Sequence, residues 1–281
     1  MLLGMNMLLW TTHVTEKDVP ILKDIKKAGF DGVEIPVFGG TPEDYRQIGT
    51  WLKDIGLRAT AVGVMPDIDH SCLSQDAETR TRALSHIKWL IDCVAAAGGE
   101  VLCGPFHQPL GHFTGAPATR EEWKGMIEVH REAAAYAEAS GILLSVEPLN
   151  RFECYILNTV ADAARAVREV GAANYGFLYD TFHQNIEEKD PVGCIAPAMG
   201  QINHVHLSEN DRGTPGKGHV PWRETLRSFK RGGYDGWFVI EAFGQAMPEI
   251  AAATRVWREL SPSDEIYREG HDFLRAAYAE A

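Results

Sequence analysis

"ILLSVEPL", residues 142–149, is the stretch on which the fold turns. Alternation along a strand puts Ser145 and Glu147 on one face and Leu144 and Val146 on the other. The run is apolar until it meets a carboxylate, and charge at the mouth of a buried strand costs free energy unless something pairs with it. A strand with its aliphatics turned outward and its polar set turned inward fits a barrel whose outer wall is covered by helices. The carboxylate then stands at the carboxyl end.

Seven further runs share this character: "LGMNMLLW" (3–10), "GVEIPVF" (32–38), "RATAVGV" (58–64), "EVLCGPFH" (100–107), "YGFLYDTF" (175–182), "INHVHLSE" (202–209) and "GWFVIEAF" (236–243). Amphipathic segments with helical periodicity lie between them, at 16–29, 42–56, 76–99, 119–141, 159–171, 191–200 and 221–233, followed by 250–260 and 264–280. Most close on glycine, a common helix stop. Strand and helix alternate here as right-handed βαβ units do, and eight repeats favour a closed (β/α)8 TIM barrel over an open sheet. No low-complexity linker interrupts the chain. Residues 1–281 therefore read as one barrel domain with a C-terminal helical extension over about 250–281.

Composition narrows the function. The 281 residues are 45% hydrophobic, enough for one large core, and carry a formal net charge of −12. That sign argues against a nucleic-acid backbone or an anionic membrane surface as partner. Five cysteines (Cys72, Cys93, Cys103, Cys154 and Cys194) form no CxxC pair, so neither a disulfide framework nor a zinc knuckle is suggested, and a reducing cytoplasm is the simplest setting. The apolar start "MLLGMNMLLW" lacks a basic flank and is too short to span a bilayer. It reads as a core strand.

In a barrel of this kind the active site lies at the carboxyl ends of the strands. Strands five to eight each deliver one metal-competent side chain there: Glu147, Asp180, His206 and Glu241. In "INHVHLSE", His204, His206 and Ser208 share the inward face. A lone carboxylate at a strand end is ordinarily a salt-bridge partner or helix cap, but four such groups at one level make a cation site. Three carboxylates and one imidazole suit Mn²⁺ or Mg²⁺, and also Co²⁺, better than a cysteine-rich structural zinc would. Without a cation the carboxylates repel one another.

Just beyond the same strand ends stand Glu153, His183 and Arg212, within reach of a bound ligand. Glu34 in "GVEIP" also points inward by alternation, as does Asn6, and His107 and His112 flank the fourth strand end in "FHQPLGH". His86, His130 and His271 fall in helical stretches, where a surface or satisfied histidine is the default. The loop "GTPGKG" lacks the spacing and the strand–loop–helix setting of a phosphate-binding loop.

Taken together, "EPLNRFE", "YDTFHQNIEE", "HVHLSENDRGTPGKGHVPW", "IEAF" and "VWREL" resemble the ketose 3-epimerase family, whose members act on D-tagatose, D-psicose (allulose) or L-ribulose. The match is dense from about residue 140 to 262 and looser before, limited to strand rhythm and "AGFDGVEI". The resemblance implies a sugar-isomerase-like barrel with one divalent ion, Mn²⁺ foremost, Mg²⁺ or Co²⁺ otherwise. It assigns Glu147, Asp180, His206 and Glu241 as ligands, and Glu147 and Glu241 as the two acid/base carboxylates. Glu153, His183 and Arg212 match the residues that hold the O1, O2 and carbonyl end of the sugar. The implied reaction inverts C3 of a free ketose, of D-tagatose, D-fructose/D-allulose or L-ribulose type, by proton removal and return through a metal-stabilised cis-enediolate. The resemblance also implies a homodimer or homotetramer.

The sequence departs from the family at the pocket for the far end of the sugar. Family members place aromatics in the first strand and its loop and a Trp after the fourth strand. Here the first strand offers Asn6, with Trp10 and Val14 farther on, and the fourth leads into "PFHQPLGHF"; Phe243 after Glu241 is kept. Asn6, His107 and Phe243 are thus expected at the substrate, in a more polar pocket. An inosose isomerase or dehydratase, or a hydroxypyruvate-isomerase-like enzyme, shares the ligand pattern, but "NRFE" with Arg212 favours 3-epimerisation. A DNA-repair endonuclease of related barrel type needs more histidines and a basic groove. From another class, a sugar-binding or partner subunit without its own catalysis is opposed by the intact Glu147 and Glu241.

Overall fold

The computed structural model describes residues 1–281. Eight strands, β1 (Leu2–Asn6), β2 (Gly32–Pro36), β3 (Arg58–Val62), β4 (Val101–Gly104), β5 (Leu143–Val146), β6 (Tyr175–Asp180), β7 (Ile202–Leu207) and β8 (Trp237–Ile240), pair in parallel in chain order, and β8 closes the ring on β1. The expected (β/α)8 barrel is the observed one. Each strand is shorter than its apolar run because the last residues of the run leave the ladder to line the rim.

Ten helices surround the ring: α1 (Val19–Ala28), α2 (Pro42–Ile55), α3 (Ala77–Ala96), α4 (Arg120–Glu138), α5 (Val160–Val170), α6 (Thr181–Glu187), α7 (Ile195–Ala198), α8 (Trp222–Arg231), α9 (Pro248–Thr254) and α10 (Ser263–Glu280). Thr41 with Asp44, Thr119 with Glu122 and Thr159 with Asp162 form capping boxes that open α2, α4 and α5. Gly56 ends α2 with φ 81°, a left-handed turn that a side chain resists. The helical segment expected over 250–260 stops early, at Thr254. Arg255 takes the left-handed conformation as its cap (φ 61°), and residues 256–260 run as irregular chain. None of the helices is long and apolar enough to cross a membrane.

Register sets the height of the inward groups. Asn6 pairs with Glu34 and Glu34 with Thr60, so β1, β2 and β3 carry one polar row. Across the ring, Asp180 pairs with His206 and His206 with Val239. Glu147 and Glu241 fall one residue past the ends of β5 and β8, and their backbone N–H groups still donate to Gly104 (3.1 Å) and Leu207 (3.3 Å) of the neighbouring strands. The ladder thereby fixes their backbone although they sit beyond it. At Gly104 (φ 117°) the chain leaves β4 so close to β3 that a Cβ would collide with the Gly63 carbonyl.

Candidate active site

The four side chains expected to converge do so. Glu147, Asp180, His206 and Glu241 are all buried, and each offers a ligand atom within 4.8 Å of the others'. Their electrostatics differ sharply. Burial, with the Glu241 charge beside it, raises the Glu147 carboxyl well above its ordinary value. Burial likewise lifts Asp180 to about 6 against the pull of Arg212. Glu241 goes the other way: His206 and Arg212 overcome the effect of burial and bring it down to about 2. Two glutamates on one cavity with pKa values pushed apart are the mark of an acid and base pair.

These residues fit a divalent cation. His206 Nε2 lies 2.7 Å from Glu34 Oε1 and gives its proton there, while Nδ1 has no hydrogen-bond partner. That orphaned atom lies 3.3 Å from Glu241 Oε1 and 4.0 Å from Asp180 Oδ2. A buried imidazole nitrogen among three carboxylates, its other nitrogen held by a fourth, has the arrangement of a metal-ligating histidine. A cation would also offset the burial that raises Glu147 and Asp180 and the lesser repulsion from Glu241.

Arg212 is the charge that the structure itself supplies. Its Nη1 donates to Asp180 Oδ2 (3.0 Å), to Ser208 Oγ (2.9 Å) and to Glu241 Oε2. The guanidinium carbon sits 3.8 Å from the centre of the Phe182 ring and 5.0 Å from that of Phe243. Arg212 holds φ 67°, a strained conformation for a non-glycine residue, which the ion pairs and ring contacts over-determine. His183 stands beside it, with Nε2 3.0 Å from Arg212 Nη2. Burial first, then the guanidinium, hold His183 neutral. The Asn150 backbone N–H donates to its Nδ1 (3.1 Å), so the ring is held between the asparagine on one side and the guanidinium on the other. Asn150 Nδ2 donates in turn to Glu153 Oε1 at 2.8 Å, so Glu153 and His183 are held through one asparagine.

Above this floor opens a cavity of about 270 Å³. Glu147, Glu153, His183, Arg212, Glu241 and Phe243 line one side. The other is built by Leu8, Phe38, Val62, Val64, Met65, Pro66, Pro105, Pro109 and Leu110 from the ends of β1 to β4, with Ile250, Ala253 and Thr254 of α9 closing over. This far wall is apolar, which corrects the expectation of a more polar pocket.

Two residues expected at the substrate lie elsewhere. Asn6 is fully buried below the cavity, its amide donating to Glu34 Oε1 (2.9 Å) and its oxygen accepting from Leu8 N–H (2.7 Å). His107 is also fully buried, with neither ring nitrogen partnered, and burial with His130 nearby brings its pKa down to about 3. Gln108 turns inward to the backbone, donating to His112 O at 3.1 Å. His107 and Gln108 are therefore turned inside the loop, while Pro105, Pro109 and Leu110 face the cavity. The apolar wall had a sequence signal: in "RATAVGV", Val62 and Val64 share the inward face with Thr60. A second buried donor group, Glu34, Cys103, His204 and His206, lies beneath the first.

A model of the xylose isomerase-like TIM barrel family matches residues 22–277. A probable ketose 3-epimerase of Synechocystis sp. is 31% identical over 276 residues, 98% of this chain and 96% of its own. A D-psicose 3-epimerase of Agrobacterium fabrum is 29% identical over 272 residues, 95% of this chain and 93% of its own. Among solved structures, the D-allulose 3-epimerase of Methylomonas sp. in complex with D-allulose superposes with a TM-score of 0.92 at 26% identity, covering 98% of this chain and 96% of that one.

Proposed function

The chain belongs to the ketose 3-epimerases of the xylose isomerase-like TIM-barrel family, and on that premise we propose that it inverts C3 of a free ketose by two-carboxylate proton transfer. The observation that carries this reading is the pair Glu147 and Glu241, set on one cavity from strands three apart in the ring, one carboxyl raised and the other lowered.

Glu147, Asp180, His206 and Glu241 would hold the divalent ion, Mn²⁺ by preference, with Mg²⁺ or Co²⁺ as substitutes. Bound there, the ion supplies Lewis-acid withdrawal of charge from neighbouring sugar oxygens, worth several kcal/mol as the C3–H bond weakens. The proton at C3 is acidic because C2 is a carbonyl. One glutamate takes it from one face of the sugar and becomes a carboxylic acid; the C3–H electrons move into a C2–C3 double bond and the charge onto O2. The other glutamate, already protonated, returns its proton to C3 from the opposite face, and the carbonyl re-forms. Either residue can be the base, depending on direction.

Arg212 and His183 are placed to meet the carbonyl end of the sugar, Arg212 donating from a guanidinium fixed by Asp180 and Glu241. Glu153, held by Asn150, orders the same end. The carbons beyond C3 then lie against the apolar wall, where side chains make few hydrogen bonds to hydroxyls. The substrates in view are of D-tagatose, D-fructose/D-allulose or L-ribulose type, for an enzyme working as a homodimer or homotetramer in the cytoplasm. The test is product analysis after Mn²⁺-loaded protein meets D-fructose, D-tagatose, L-ribulose and a myo-inosose. C3 epimers of the ketoses are expected; turnover of the cyclitol alone would overturn the proposal in favour of an inosose enzyme.

A further inference from the structure

Under the cavity floor lies a carboxylate that the proton transfers above do not use. Glu34 is fully buried, and five donors saturate its two oxygens. Oε1 accepts from Asn6 Nδ2 (2.9 Å) and His206 Nε2 (2.7 Å). Oε2 accepts from Thr60 Oγ1 (3.0 Å), His204 Nε2 (2.7 Å) and the Cys103 thiol (3.1 Å). Asn6 and Thr60 are its register partners on β1 and β3, whereas His204 and His206 reach it from β7, some 170 residues along the chain.

Such a cluster is a poor device for stability. A barrel layer packed with branched aliphatics needs no compensation, and replacing a buried charged group by well-packed apolar residues is often neutral or stabilising. What Glu34 does that an aliphatic cannot is decide which nitrogen of His206 faces upward. By taking the Nε2 proton it leaves Nδ1 as the atom among Asp180 and Glu241. The His204 ring, edge-on to His206 with centroids 5.4 Å apart, is pinned by the same carboxylate.

We propose that Glu34 is a positioning residue for the catalytic cation: it fixes the ring orientation and tautomer of His206 from below, and through His206 it sets the affinity of the site for the ion. The inference rests on the cation reading of the site, but its readout is metal affinity rather than sugar turnover.

The test titrates metal-free wild-type, Glu34→Gln and Thr60→Val proteins with Mn²⁺, following free aquo-Mn²⁺ by electron paramagnetic resonance, with circular dichroism as the check on folding. Glu34→Gln should weaken Mn²⁺ binding by about 10- to 100-fold, the usual effect of losing a carboxylate behind a ligating histidine. Thr60→Val removes a hydrogen bond from the same cluster but leaves His206 in place, and should bind Mn²⁺ within about twofold of wild type. If Glu34→Gln does not fold, Glu34→Asp replaces it. That variant keeps the charge but is too short to reach His206, and the same loss of affinity is expected. Binding by the Glu34 variant within twofold of wild type would overturn the inference. So would an equal loss in Thr60→Val, which would mark a merely structural cluster. A wild-type protein that takes up no Mn²⁺ would overturn it together with the cation reading. Normal Mn²⁺ uptake without ketose turnover would count against the proposed reaction alone.

Discussion

The rim of the barrel is two half-rings of opposite character. From β5 to β8 it presents Glu147, Asp180, His206 and Glu241, joined by Arg212 and His183; from β1 to β4 it presents Leu8, Phe38, Val62, Val64 and Pro105. Both halves end at the same height because one hydrogen-bonded ring carries them. The difference separates chemistry from fit. The charged half can move protons and hold an ion, and the apolar half can only shape the space. Changes on the first should therefore appear in kcat, and changes on the second in KM and in preference among sugars.

The comparison predicts its largest effect at the two glutamates. Glu147→Gln and Glu241→Gln should each lower kcat by about 10²- to 10⁴-fold, the range for losing a general acid or base, in steady-state assays at saturating metal. Arg212→Ala comes next. It strips Asp180 and Glu241 of their fixed cation and should lower kcat/KM by about 10²-fold. On the apolar half the effect turns to selectivity. A 6-deoxyketose should exceed its parent ketohexose in kcat/KM by about 10-fold, since a methyl group suits this wall and an unpaired hydroxyl does not. Val64→Thr should narrow that ratio with kcat nearly unchanged. A large fall in kcat for Val64→Thr would break the division.

The smallest expected effect on catalysis, none, comes from the buried histidines of the first half. His107 titrates near 3 in the fold and His130 near 4, against an ordinary 6.5. Below pH 6.5 the unfolded chain binds protons that the folded chain refuses, so stability is lost as pH falls from 6.5 towards these values. At pH 5 each histidine contributes about 2 kcal/mol of that loss. His107→Leu should flatten the fall in thermal midpoint between pH 7 and 5, leaving kcat at pH 7 unaltered.

Much of the charged half was legible in the sequence. Period-two alternation places Glu147 and His206 on the inner face, and their position at the end of an apolar run places them at the rim. Alternation does not give depth. Asn6 and Glu34 do point inward, but they lie one level below the cavity, where they bond each other. His107 was misplaced for a related reason: its ring folds back under the loop, while the neighbouring prolines make the wall. The role of Glu34 has no local signal, because its partners on β7 lie some 170 residues away.

The central claim, that Glu147 and Glu241 serve opposite faces of C3, is tested most directly by following hydrogen exchange at C3 in D₂O by nuclear magnetic resonance. The wild-type protein should interconvert a ketose and its C3 epimer with deuterium entering at C3. Glu147→Gln and Glu241→Gln should stop the interconversion while each still exchanges the C3 proton of one epimer only, a different epimer for each variant. Exchange of the same epimer by both variants, or epimerisation with the C3 hydrogen retained, would contradict the account.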